Sequence, residues 1–139
     1  MTSMTQSEKQ TFLADVHVGV LALTDGDHGP LLVPIWYEYE PGGELWFLTG
    51  PQSRKGRLIQ VGTRVSLVAQ TEDASYRYVS VEGPVTSIAP ANHELEGLPM
   101  TVRYLGPEMG KQYFDSMSDW GVTVRVRPER WLAVDYSKS

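Results

Sequence analysis

The residues best suited to chemistry lie close together in the first half of the chain. Ser53-Arg54-Lys55-Gly56-Arg57 sets a hydroxyl among three cations, directly after the strand breakers Gly50 and Pro51. A short basic helix over Arg54 to Ile59, capped by Ser53, would turn free backbone N–H groups and the side chains of Ser53, Arg54, Lys55 and Arg57 toward one place. Such a place suits a phosphate. A solvated basic turn that balances an acidic chain is the other reading of the same residues. Upstream, Val33-Pro34-Ile35-Trp36-Tyr37 puts a proline inside a strand-forming run. Proline cannot donate to a ladder, so it marks an edge or a bulge. An edge is where a flat ring can dock, and Pro34, Ile35 and Trp36 would offer it an apolar slot with backbone polar groups alongside. The aromatics of this run also fit ordinary core and surface positions of one strand. Tyr76, Tyr78, Tyr104 and Trp120 are the candidates for a substrate wall, and each suits simple packing as well.

Other chemistries find little support. The chain has no cysteine, which excludes disulfides, thiolate nucleophiles and cysteine-ligated zinc or iron–sulfur sites. His17, His28 and His93 are isolated from one another, so no metal site is expected. Glu94 and Glu96 could pass for an acid–base pair, but at a helical start they are more simply dipole partners. No Ser–His–Asp order and no glycine-rich nucleotide fingerprint is present, and no catalytic side chain can be named. A net charge of -5 speaks against nucleic acid and anionic membranes as partners. No apolar run approaches the roughly 18 residues of a membrane span. Met1 to Gln10 is polar with no apolar h-region, and a cytoplasmic location is expected.

The elements that must position these residues follow from pattern. The length of 139 residues suits one domain with its own core, residues 1–139. Ser7 and Gln10 match a capping box, which predicts a helix from Glu8 to Val16 with Phe12, Leu13 and Val16 buried. Strands are expected at His17–Thr24, Leu31–Tyr39, Leu45–Thr49, Val65–Thr71, Tyr76–Ser87, Val122–Arg127 and Trp131–Tyr136, separated by turns such as Glu40-Pro41-Gly42-Gly43. Val122, Val124 and Val126 alternate with Thr123, Arg125 and Arg127, which gives that strand one buried and one wet face. Pro90 to Asp119 reads as a helical insertion broken at Pro99 and Gly106-Pro107, with Tyr113, Phe114 and Met117 at helical spacing. Six or seven strands in mostly hairpin order predict a mainly β fold, a closed antiparallel barrel with few helices.

The ordered set Gly19-Val20-Leu21-Ala22-Leu23, Val33-Pro34-Ile35-Trp36-Tyr37, Leu45-Trp46-Phe47-Leu48-Thr49, Ser53-Arg54-Lys55-Gly56-Arg57-Leu58-Ile59, Val65-Ser66-Leu67-Val68 and Val79-Ser80-Val81-Glu82-Gly83-Pro84-Val85 resembles the pyridoxamine 5'-phosphate oxidase-like FMN-binding split barrels. Within them it is most similar to the actinobacterial flavin- and deazaflavin-dependent oxidoreductases. The resemblance implies a homodimer with FMN or deazaflavin F-420 across the subunit interface and hydride transfer to a small organic substrate. It implies that Thr49, Ser53, Lys55 and Arg57 meet the phosphate, with Arg54 nearby, and that Pro34, Ile35 and Trp36 line the ring. Gly50, Pro51 and Gln52 stand where deazaflavin-binding relatives often carry lysine, which leaves FMN and F-420 both open. Haem, bound by a related branch of such barrels, is the alternative cofactor, and a cofactor-free binding module the alternative function.

Overall fold

The computed structural model describes residues 1–138. Helix α1 (Gln6–Ala14) opens on a capping box two residues before the expected one. Thr5 Oγ1 accepts from the Glu8 N–H at 3.1 Å, and Glu8 Oε1 accepts from the Thr5 N–H at 2.8 Å. Glu8 also takes a bond from Lys138 Nζ at 2.7 Å, a charge-assisted contact that Gln10 has no charge to make. Phe12 and Leu13 are buried as expected, whereas Val16 lies beyond the helix and is exposed.

Strands β1 (Gly19–Leu23), β2 (Leu31–Ile35), β3 (Glu38–Tyr39) and β4 (Leu45–Thr49) come next, then the single turn α2 (Arg54–Arg57). β5 (Arg64–Gln70) and the long β6 (Arg77–Pro90) follow. A π-helical turn at His93–Gly97 leads into α3 (Leu98–Ser116), and β7 (Val122–Val126) and β8 (Arg130–Asp135) end the sheet before a last turn at Tyr136–Lys138. The fold is mainly β and every strand pair is antiparallel. The hydrogen-bonded path runs β2-β1-β5-β6-β7-β4-β3, with β8 against β6. β2 and β3 stand at the two ends of that path, so the sheet curls without closing. The antiparallel barrel expected from the hairpin order is thus the split barrel that the resemblance implied.

Two features create the split. β6 serves both halves: its first part pairs with β5 and β8, its last part with β7, and the register shifts between Val85 and Ser87. An extra residue at that point bends the strand. Opposite, the run Leu31–Tyr39 read as one strand is two, because β2 pairs with β1 while β3 pairs with β4. At the crossing the backbone of Tyr37 leaves the ladder and is satisfied by α3. Its N–H donates to Tyr104 Oη at 3.0 Å, and its carbonyl accepts from Arg103 Nε at 3.1 Å. These side chains supply what a neighbouring strand would otherwise supply.

Leu21, Tyr37, Phe47, Val79 and Val124 are at the centre of one core shared by both halves. Thr123, expected on the wet face, is buried because its hydroxyl donates to Glu96 Oε1 at 2.9 Å. β6 runs through Pro90, so the helical insertion starts later than the sequence suggested. α3 breaks at Gly106, whose φ of 86° suits glycine, and Pro107 starts the second arm. A Cβ on Gly110 would lie 2.6 Å from Val102 Cα, so the two arms are folded back on each other. No helix among the described residues is long and apolar enough to cross a membrane.

Candidate functional site

At the split, the ends of β2 and β4 diverge and α3 lies across the gap. The space between them is a cleft of about 450 Å³, within the roughly 300–1,000 Å³ usual for small-molecule sites. Pro34, Ile35 and Trp36 line one side of the cleft, Leu48 and Thr49 another, and Lys55 its rim. The strand edge inferred from Pro34 is thus real, and β2 has no second neighbour in the sheet. Trp36 is held flat: its ring stacks on Tyr104 with centroids 5.0 Å apart and planes 4° from parallel.

The cationic segment is built differently from its sequence reading. Ser53 caps α2, accepting from the Gly56 N–H at 3.0 Å, while its hydroxyl donates to the Gly50 carbonyl at 2.7 Å and lies 3.3 Å from Thr49 Oγ1. The turn folds this tightly because residue 56 has no side chain: a Cβ there would sit 2.2 Å from the Gly50 carbonyl oxygen. With only four residues, α2 has too few aligned peptides for a useful dipole, so the helix-end argument fails. Arg54 turns to the β1–β2 loop and pairs with Asp25. Arg57 is exposed and does not line the cleft, nor does Ser53. Lys55 alone of the three cations reaches it. Its ammonium has no hydrogen-bond or ion-pair partner among the described residues, and burial pushes its pKa below the ordinary lysine value.

Of the aromatic candidates, Trp120 lines the cleft, stacked on Phe114 at 5.6 Å. Its indole N–H is buried and unpaired. Tyr104 is not a wall residue. Its hydroxyl donates to the His17 carbonyl at 2.6 Å and accepts from the Tyr37 N–H at 3.0 Å, a structural pin that the sequence could not disclose. Burial raises the Tyr104 pKa, which keeps the pin protonated. Tyr76 and Tyr78 do not line the cleft: Tyr76 is exposed in the β5–β6 loop, and Tyr78 sits in β6 opposite Gln70 and Val134. Sequence reasoning missed Met100, Tyr113, Met117 and Asp119, all of which line the cleft from α3 or just after it. Tyr113 and Met117, four residues apart, carry the spacing of one helix face, but that signal does not say whether the face meets core or ligand. No group of acidic or histidine side chains that could hold a metal ion occurs among the described residues.

An antiparallel sheet split between two edge strands, with an apolar cleft and one free lysine at the opening, defines a split-barrel protein. Residues 5–131 match the family described as pyridoxamine 5'-phosphate oxidase, and the chain belongs to that family. Its fold is similar to a conserved hypothetical protein of Mycobacterium tuberculosis, 28% identical with a TM-score of 0.78, covering 99% of this chain and 88% of that one. It is also similar to an F-420 reductase, 25% identical with a TM-score of 0.71 over 88% of this chain and 94% of that one. An FAD-binding protein from Mycobacterium smegmatis shares the fold at 14% identity, with a TM-score of 0.63 over 94% of each chain. No curated protein matches the chain.

Proposed function

We propose that the cleft holds a phosphate-bearing flavin or deazaflavin F-420, and that the protein is an oxidoreductase acting on a small organic acceptor. The observation that carries this reading is Lys55, a partly desolvated ammonium with no partner of its own, at the edge of an apolar cleft walled by Trp36. An ammonium held out of water without an anion is costly, and a ligand phosphate relieves that cost. The similarity to an F-420 reductase supports the same reading.

The residues suit such a group. Trp36, held flat by Tyr104 stacked on it, offers a stiff surface against which a planar ring can lie, and Ile35, Leu48 and Met100 add apolar wall. Thr49, whose hydroxyl lies 3.3 Å from that of Ser53, lines the same cleft as the cation. The unpaired Trp120 N–H is a donor with no acceptor in the free protein. A bound flavin or deazaflavin supplies two electrons as a hydride to the acceptor, which takes its proton from solvent. The protein's contribution is positioning: a cation at one end of the cleft fixes the anionic tail, and the apolar walls fix the ring. Haem is less well served, because none of His17, His28 and His93 lines the cleft and the usual histidine ligand is missing there.

The reading includes a homodimer. Its support is the outer surface of the first half-barrel, where Pro34, Val20, Val68, Ser80 and Leu132 occupy one cross-strand row over β2, β1, β5, β6 and β8. Leu32 and Leu132 on that surface are 63% and 61% exposed. Pro34 belongs both to this row and to the cleft, so a second copy seated here would border the ligand.

Absorbance titration of one sample with FMN, F-420 and haemin in turn tests the assignment. A saturable change with FMN or F-420 is the expected result. A Soret band with haemin that flavin does not displace would replace the redox reading with haem binding, and no change with any of the three would leave a binding module without cofactor.

A further inference from the structure

The two arms of α3 are attached to the barrel in different ways. The first is bolted by polar side chains: Arg103 donates to the Ala14, Asp15 and Tyr37 carbonyls, and Tyr104 bonds His17 and Tyr37. The second has no such ties. Beyond the helix's own backbone bonds, the hydrogen bonds and ion pairs of residues 107–118 stay inside the segment, joining Lys111 to Asp115, Ser116 to Tyr113 and Met117 to Phe114. Only Gly110 among these residues is buried. What holds the arm is rings: Tyr113 meets Trp36 at 6.1 Å and Trp120 at 6.3 Å, and Phe114 stacks on Trp120 at 5.6 Å. Trp120 itself belongs to the body, packed on Gly97, where a Cβ would lie 3.0 Å from the indole. The next residue, Gly121, is pressed against β4, since a Cβ there would sit 2.3 Å from the Thr49 carbonyl oxygen.

We infer that the second arm, residues 107–116, is a lid on the cleft that swings at Gly106. Tyr113 and Met117 line the cleft, so a lifted arm takes part of the wall with it and opens a way in for a ligand. Ring contacts part without stranding a buried polar group, whereas moving Arg103 or Tyr104 would strand several. Lifting the arm also lets water reach the buried Trp120 N–H, which has no partner while the arm is down. A segment with few buried contacts opens at a lower free energy than the whole fold. Gly106, with φ 86° and ψ 169°, holds the closed arm in a conformation that other residues avoid, and such a joint can absorb the turn. The inference concerns access to the cleft, and it rests on the redox reading only where FMN serves as the occupant.

The Trp120 indole N–H, buried beside Phe114 and Tyr113, is a native reporter of the arm. Its hydrogen exchange is followed by NMR in 15N-labelled protein, the signal being identified by its loss in Trp120→Phe. It should be protected at least about tenfold less than the backbone N–H groups of Leu67 and Val79, which lie in strands paired on both sides. Urea below the unfolding range should speed the exchange of Leu67 and Val79 while leaving Trp120 nearly unchanged, because a swinging arm exposes little surface. Gly106→Ala strains the closed arm and should speed Trp120 exchange at least about fivefold. Saturating FMN touches the wall that the arm carries and should slow it at least about tenfold. Trp120 exchange that tracks Leu67 and Val79 in both protection and urea dependence overturns the lid. So does an unchanged rate in Gly106→Ala, or bound FMN without effect. If FMN does not bind, the redox reading loses its cofactor, and the urea and Gly106→Ala results still decide the lid.

Discussion

Replacing Lys55 by methionine removes the charge from the cleft and keeps most of the side-chain volume. Nothing else in the protein depends on that ammonium, since it has no partner among the described residues. The loss should therefore fall on the ligand alone. A hydrogen bond to a charged group contributes about 1.5–3 kcal/mol, and each 1.4 kcal/mol is roughly tenfold in affinity, so Kd for FMN or F-420 should rise about 10- to 100-fold. The melting temperature should hold or rise slightly, because a desolvated charge is gone. Arg57→Ala and Arg54→Ala are the controls. Arg57 lies outside the cleft, and Arg54 is engaged with Asp25 in a pair whose arginine side is 64% exposed. Each should change Kd by less than about threefold, in keeping with surface charges. Fluorescence titrations at low and moderate salt, repeated between pH 8 and 10, supply the readout. Because burial lowers the Lys55 pKa, its charge and the affinity should be lost at lower pH than for an exposed lysine. Equal losses in Lys55→Met and Arg57→Ala would refute the reasoning, as would an unchanged Kd in Lys55→Met.

Two further outcomes concern what holds the cleft in shape. Tyr104→Phe leaves the Tyr37 N–H and the His17 carbonyl without their partner, while Arg103 still serves the Tyr37 carbonyl. The expected destabilisation is about 2–4 kcal/mol, or about 5–12 °C in Tm, and a shift under about 2 °C by calorimetry would count against the pin. His17 is held below its ordinary pKa of 6.5 chiefly by burial, with Asp15 opposing and Arg77 and Arg103 adding to the effect. The unfolded chain then takes up the proton first, so this contribution is complete above pH 6.5 and is lost as pH falls below it. Urea midpoints from pH 7.5 to 5 should fall more steeply for wild type than for His17→Gln, and parallel curves would remove His17 from the account.

The strands were legible because their apolar residues alternate and their turns are marked by proline and glycine. Pro34 gave away the edge of the sheet by its missing donor. Its consequence two residues later was hidden, because the break at Tyr37 is completed by Tyr104 and Arg103 from a helix more than sixty positions away. The basic segment was legible as a cluster but not as a distribution. Which of Arg54, Lys55 and Arg57 faces the cleft depends on the single turn of α2 and on the position of Asp25 in another loop. Tyr104 and Tyr113 illustrate the same limit. Both are helix aromatics, and only the fold of α3 at Gly106 decides that the first is bonded inward while the second stands free at the cleft.

The bulge in β6 has a mechanical meaning for the other side of the molecule. Each half-barrel contributes one jaw of the cleft, β2 from the first and β4 from the second, and the two halves share their pivot at residues 85–87. The gape of the jaws is thus tied to an angle set far from any ligand atom. A single insertion or deletion at this point could retune which molecules fit while every wall residue stayed the same, which offers the fold a route to new acceptors through its spine.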